Sequence, residues 1–172
     1  MAIRPIITAP NPWLKQVSQP VERVDDETRQ LMDNMLETMH AAPGIGLAAI
    51  QVGVAKCVIV MDLSKDKTKP EPLFFVNPKL IWTSDKTEIN EEGCLSLPEF
   101  YEEVERPHEA KFEYLDYDGK AQALKAEGLL AMCLQHEMDH LEGILFIDHL
   151  SRLKRTMILK KLAKTQKLKE SA

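Results

Sequence analysis

The sequence predicts an α+β fold: antiparallel β-sheets packed around a central helix that carries a His-Glu-x-x-His motif, with an N-terminal helix and a C-terminal amphipathic helix. Two observations lead there. Apolar residues recur at the helical period near residues 26–42, 126–143 and 150–169. The β-rich runs gather between the first two of these stretches instead of alternating with helices, as a parallel βαβ sheet would require.

Taken in order, "DDETRQLMDNMLETMHAA" places Leu31, Met32, Met35, Leu36 and Met39 on one face behind an acidic start that suits a helix N-terminus. The spacing predicts about four turns, ending near Pro43. "PGIGLAAIQVG" has Gly44, Gly46 and Gly53 but no terminal lysine or hydroxyl residue, so it does not match a phosphate-cradling loop. It reads as an apolar loop that brings backbone close to another group. Strands are expected in "KCVIVMDL", "LFFVNPKLIW" and "TEINEEGCLS", and a hairpin turn at Asp118 and Gly119. "AEGLLAMCLQHEMDHLEG" reads as a helix with Leu130, Leu134 and Leu141 in its apolar stripe and Gly143 as a C-cap. The last helix repeats Leu153, Met157 and Leu162 between basic residues.

A chain of 172 residues fits one domain with a core that needs no disulfides, here expected over 1–172 with 151–172 as a basic terminal helix. No run approaches the roughly 18 to 20 apolar residues that span a bilayer, which excludes a helical membrane protein. The opening "MAIRPIITAPNPWLKQVSQP" lacks the apolar segment of a secretion signal, and its prolines break a presequence helix, so a mature cytoplasmic chain is expected. Cys57, Cys94 and Cys133 are odd in number and widely spaced, which favours reduced thiols over a disulfide framework. The net charge of −5 hides a split, because residues 151–172 hold eight lysines and arginines against Glu170 alone. An acidic body with a basic appendage points to nucleic acid or another anionic surface as a partner of the tail.

His136 and His140 lie four apart, so they share one helix face, one turn apart, and both can reach one metal ion. Glu137 can approach a water on that metal without being a ligand, the placement of a general base. A catalytic site of this kind needs a third ligand. Asp148 and His149 lie too soon after Gly143 to fold back easily, and Cys133 would have to reach past the His136 ring, which makes it a wall residue. Cys57 sits inside an alternating strand as a small buried hydrophobe. Cys94 follows Gly93 at a strand end, where a thiolate can meet a helix packed alongside. Thiolate plus imidazole suits iron(II), nickel, cobalt or zinc. From these residues alone a zinc endopeptidase and a non-catalytic metal-binding module stay open as alternatives.

"GIGLAAIQVG", "EEGCLSLP" and "QHEMDHLEG", in this order and at these separations, resemble the three signature motifs of bacterial peptide deformylases, and the similarity covers nearly the whole chain. The resemblance implies a hydrolase that releases formate from the N-terminal formylmethionine of nascent polypeptides by attack of a metal-bound hydroxide. It implies Cys94, His136 and His140 as ligands, with iron(II) the expected metal and nickel, cobalt or zinc as substitutes, and Glu137 as the acid/base. The Gln51 side-chain amide and the Leu95 backbone N–H match the donors to the developing oxyanion. The backbones of Ile45, Gly46 and Gly93 match the segments that pair with an extended peptide, and Leu129, Met132 and Cys133 fall where the family lines its methionine pocket. Tyr101 departs from relatives that carry an arginine near the substrate backbone, which opens the question of contacts beyond the methionine. Glu92 and Arg106 form a candidate ion pair behind Cys94, with Asp139 a candidate partner of a histidine. The resemblance further implies a monomer and a helical C-terminus that docks on the ribosome.

Overall fold

The computed structural model describes residues 2–66 and 68–171, with the backbone alone at 169–171, so Lys169 and Glu170 of the basic tail lie outside the described side chains. Helix α1 (Asp26–Ala41) begins where the Asp25 side chain accepts from the Thr28 N–H, and Asp26 and Glu27 stand in its positive first turn. It ends just before Pro43, as its sequence predicts. Strands β1 (Gly46–Ala48), β2 (Val58–Asp62), β3 (Pro72–Thr83), β6 (Glu109–Leu115) and β7 (Ala121–Glu127) form one antiparallel sheet in the order β1-β2-β3-β6-β7. Strands β4 (Thr87–Cys94) and β5 (Leu97–Pro107) form a separate two-stranded antiparallel sheet. Helix α2 (Gly128–Leu141) carries the histidines, and α3 (Arg152–Ser171) closes the chain.

The central placement of α2 follows from strand β2, whose five residues are all buried. Alternation along a strand sends successive side chains to opposite faces. Val58 and Val60 accordingly pack with Met32, Met35 and Met39 of α1, while Ile59 and Met61 pack with Ala131, Cys133 and Leu134 of α2. A third cluster joins Leu97 and Val104 of β5 to Leu14, Phe146, Ile147, Ile158 and Leu162, and so holds the second sheet against the C-terminal part of the chain.

The opening segment is tied across all of this. Ile7 N–H donates to Gln51 O at 2.7 Å, Ala9 N–H to Ser96 O at 2.8 Å and Ser18 N–H to Leu141 O at 2.8 Å.

Three expectations are corrected. The glycine-rich segment is no simple loop, because Gly46–Ala48 pairs with β2 and Ala49–Val52 turns as a 3₁₀ helix. Strand β5 was not foreseen. Its inner face holds Glu102, Val104 and Arg106, and charge at two of those places, half-buried at Glu102 and buried at Arg106, erases the apolar alternation that marks a strand. On α3, Leu153 is 71% and Met157 49% exposed, whereas Ile158 and Leu162 are buried. The seating of α3 beside Leu97, Val104 and Ile147 selects the Ile158/Leu162 stripe over the adjacent one.

Gly143 stands just past α2 at φ 75°, the left-handed conformation glycine tolerates, and a Cβ there would be driven into the Lys15 carbonyl. Gly143→Ala is expected to lower unfolding free energy by about 2 kcal/mol or more, read from urea denaturation. An unchanged midpoint would mean that the Lys15 segment yields freely.

Candidate metal centre

Helix periodicity brings the His136 and His140 rings to a centroid separation of 5.2 Å on the face of α2 that looks toward β4. The β4–β5 register breaks between Gly93 and Cys94, so Cys94 pairs with Leu97 across a tight turn and its thiol is turned toward the helix. Cys94 Sγ lies 3.3 Å from His140 Nε2. The ligand atoms of Cys94, His136 and His140 all fall within 4.8 Å of one another, the one such group of histidine, cysteine and acidic side chains among the described residues. Tetrahedral zinc bonds of about 2.3 Å to sulfur and 2.0–2.1 Å to nitrogen put donor atoms roughly 3.5 Å apart, so these three fit a small divalent ion.

Electrostatics agree with that fit. Burial, then the charges of His136 and Arg106, hold the His140 ring well below an ordinary imidazole, in the neutral form that ligates. Burial also opposes charge on His136, but its contacts with Cys94 and Glu92 and the charge of Glu137 outweigh this and raise its proton affinity. Surroundings that favour a proton there favour a cation. Burial pushes the Glu137 carboxyl up to about 7, and its Oε2 is buried without a hydrogen-bond partner among the described residues.

Behind the ligands runs a chain of ion pairs. Glu92 Oε1 accepts from His136 Nδ1 at 2.8 Å, leaving Nε2 for a metal. Arg106 grips both oxygens of Glu92, from Nε at 2.6 Å and Nη2 at 2.9 Å, and reaches Asp139 Oδ2 from Nη1 at 2.9 Å. Burial would raise the Glu92 carboxyl, yet the bonds from His136 and Arg106 bring it down to about 2. The ligand's supporting carboxylate is thus Glu92, while Asp139 serves Arg106 and His149. His149 does fold back on α2, through the turn Phe146–His149, but it meets Asp139 and does not join the ligand cluster, and Asp148 is engaged by Lys15 and Arg155.

Gln51 is 1% exposed and its amide is oriented by the backbone, since Oε1 accepts from Ala48 N–H at 2.9 Å. Its nitrogen therefore faces the site, donating to Ser96 Oγ at 3.0 Å and standing 3.5 Å from Cys94 Sγ. Sulfur is a weak acceptor, so the N–H on Cys94 can be given to another acceptor. Ser96, fully buried, is a site residue that sequence reasoning missed; nothing but its neighbourhood to Cys94 could have flagged it.

Cys94, His136, Glu137 and Glu92 border one cavity of about 820 Å³, whereas His140, Gln51 and Ser96 are not among its lining residues. Ile45, Gly46, Gly93, Leu95 and Tyr101 line it, as do Leu129, Met132, Cys133, His136 and Glu137. Gly46 is pressed against Glu137, with a Cβ position 2.9 Å from Oε1, and Gly44 likewise against the Leu95 side chain. Burial and the Glu137 charge push the Cys133 thiol up to about 12, so it walls the cavity as a neutral thiol. Glu91 and Glu99 also line the cavity, and sequence reasoning gave neither a role.

A half-buried thiol and two buried imidazoles, with the Glu137 carboxyl beside them and an open cavity in front, define the class of metal-dependent hydrolases. The polypeptide deformylase family model matches residues 3–156, and the chain belongs to that family. It is 64% identical to a peptide deformylase of Phenylobacterium zucineum over 97% of this chain and 99% of the relative. It is 62% identical to one of Pelagibacter ubique over 95% of each. Among solved structures, peptide deformylase from Ehrlichia chaffeensis in complex with actinonin superposes with a TM-score of 0.90 at 41% identity, covering 96% and 98% of the two chains.

Removing the carboxylate that bridges Arg106 and His136 strands a guanidinium in the interior. Glu92→Ala is expected to cost about 3 kcal/mol of stability and to weaken metal retention by tenfold or more, measured by denaturation and by competition with a chelator. Unchanged metal retention would remove Glu92 from the support of His136.

Proposed function

We infer that this chain removes the formyl group from the N-terminal formylmethionine of nascent polypeptides and releases formate. The observation that carries the reading is the meeting of three motif segments at one cavity lined by Cys94, His136 and Glu137, with His140 completing the ligand cluster. Cys94, His136 and His140 would hold a divalent ion, iron(II) in our reading with nickel, cobalt or zinc as substitutes, which would polarise the formyl carbonyl and make bound water more acidic.

The remaining work falls to the protein. Glu137, raised toward neutrality by burial, takes the proton of the attacking water and passes it to the methionine nitrogen as the C–N bond breaks. Gln51 Nε2 and the Leu95 N–H donate to the formyl oxygen as negative charge develops there. The edges of β1 and β4, at Ile45, Gly46 and Gly93, pair with the extended peptide backbone. Leu129, Met132 and Cys133 receive the methionine side chain, and Tyr101, 63% exposed, stands at the mouth beyond it. The family favours this reaction over the cutting of internal peptide bonds.

With iron(II) under anaerobic conditions or with nickel, the protein should release formate from formyl-Met-Ala. Glu137→Gln should lower kcat by about 10²–10⁴ while elemental analysis finds the metal retained. No turnover by the loaded wild-type protein would sink the reading.

We place the protein in the cytoplasm as a monomer that meets its substrates at the ribosome. No described helix is long and apolar enough to cross a membrane. Lys160, Lys161 and Lys164 are exposed on α3, suited to salt-sensitive contacts with RNA. Deleting α3 would strip Ile158 and Leu162 from the core, so charge reversal is the cleaner test. Lys160→Glu/Lys161→Glu/Lys164→Glu should weaken co-sedimentation with ribosomes and spare turnover of formyl-Met-Ala; undiminished co-sedimentation would exclude the helix as the docking element.

A further inference from the structure

We propose that the outer face of the β4–β5 hairpin is a docking track for the nascent chain beyond its methionine, and that it selects segments bearing lysine or arginine. The proposal rests on the deformylase reading and names a preference that the reaction itself does not require. Cross-strand partners share a face of a sheet. Glu92/Glu102, Asn90/Val104 and Glu88/Arg106 make the inner face, where Glu92, Val104 and Arg106 are buried. The outer face is therefore Gly93/Tyr101, Glu91/Glu103 and Ile89/Glu105, with Tyr101 63% and Ile89 60% exposed.

This face continues the cavity without a break. Gly93, Tyr101 and Glu91 border the cavity, and Glu103, Ile89 and Glu105 lie just beyond them along the strands. Strand β4 has β5 as its one sheet partner, so its other edge is available where it meets the cavity. A chain extended from a methionine bound beside Cys94 and continuing along that edge would pass these pairs at about 3.3 Å per residue.

Charge sets the preference. The cavity lining contains Glu91, Glu92, Glu99 and Glu137 and no lysine or arginine. Glu92 is answered by Arg106, but Glu91, Glu99, Glu103 and Glu105 have no ion-pair partner within reach among the described residues. Glu91 and Glu103 stand directly opposite each other, a like-charge pair that costs stability until a cation comes between them. A substrate lysine or arginine supplies that cation and lays its aliphatic stem on Ile89 or Tyr101. A formylated N-terminus carries no charge of its own, so the attraction has to come from the side chains that follow.

The test compares kcat/KM for formyl-Met-Ala-Lys-Ala-Lys-Ala and formyl-Met-Ala-Glu-Ala-Glu-Ala with metal-loaded enzyme at low salt. The lysine peptide should be favoured roughly tenfold, chiefly through KM, and the ratio should shrink as salt is raised. Glu91→Lys/Glu103→Lys should reverse the order. A wild-type ratio within about twofold of one overturns the proposal, as does a ratio the substitutions leave in place. Failure to turn over formyl-Met-Ala at all would instead strike the underlying deformylase reading.

Discussion

A guanidinium taken out of water has to find carboxylates within hydrogen-bond reach, and Arg106 makes that demand at the junction of β5 and α2. Glu92 answers it from β4 and Asp139 from α2, so satisfying one side chain fixes the hairpin and the helix relative to each other. The same Glu92 then holds His136 by its Nδ1. Since Cys94 stands two residues beyond Glu92 and His140 one residue beyond Asp139, the constraint that pairs the charges also sets the distance between thiol and imidazoles. The geometry of the candidate centre is thus inherited from a buried ion-pair network more than from the ligands themselves.

This arrangement divides labour between two kinds of backbone. A helix delivers two imidazoles and a carboxyl in fixed register, which a strand with its alternating faces could not do. A break in a β-ladder delivers the thiol, turned out of the alternation by the register shift at Gly93 and Cys94. The glycines of the first motif contribute no side chain. Their value is the space they leave, Gly46 for Glu137 and Gly44 for Leu95.

The helices and the pairing of His136 with His140 were legible in the sequence because they rest on local rules: capping, helical period and the four-residue spacing of histidines. Cys94 was legible as the cysteine at a strand end. What escaped depends on partners distant in sequence. Strand β5 hides its nature because charged Glu102 and Arg106 occupy inner positions, and the buried Arg106 is tolerable there only through Glu92 and Asp139. The three residues of β1 are too few to show a period. On α3, Leu153, Met157, Ile158, Leu159 and Leu162 offer two overlapping stripes, and the cluster around Phe146 and Ile147 decides between them. Ser96 looks like any turn serine until Gln51 is brought to it across the fold.

The strap formed by the opening residues gives the molecule an order in time. Ile7, Ala9 and Ser18 bond to the backbone of Gln51, Ser96 and Leu141, one residue in each of the three segments that surround the cavity. The anchor at Leu141 is offered only once the histidine helix has formed. The strap therefore cannot be fully fastened before the glycine-rich segment, the cysteine turn and the histidine helix stand in their final places, so its closure seals an arrangement that the rest of the fold has already set.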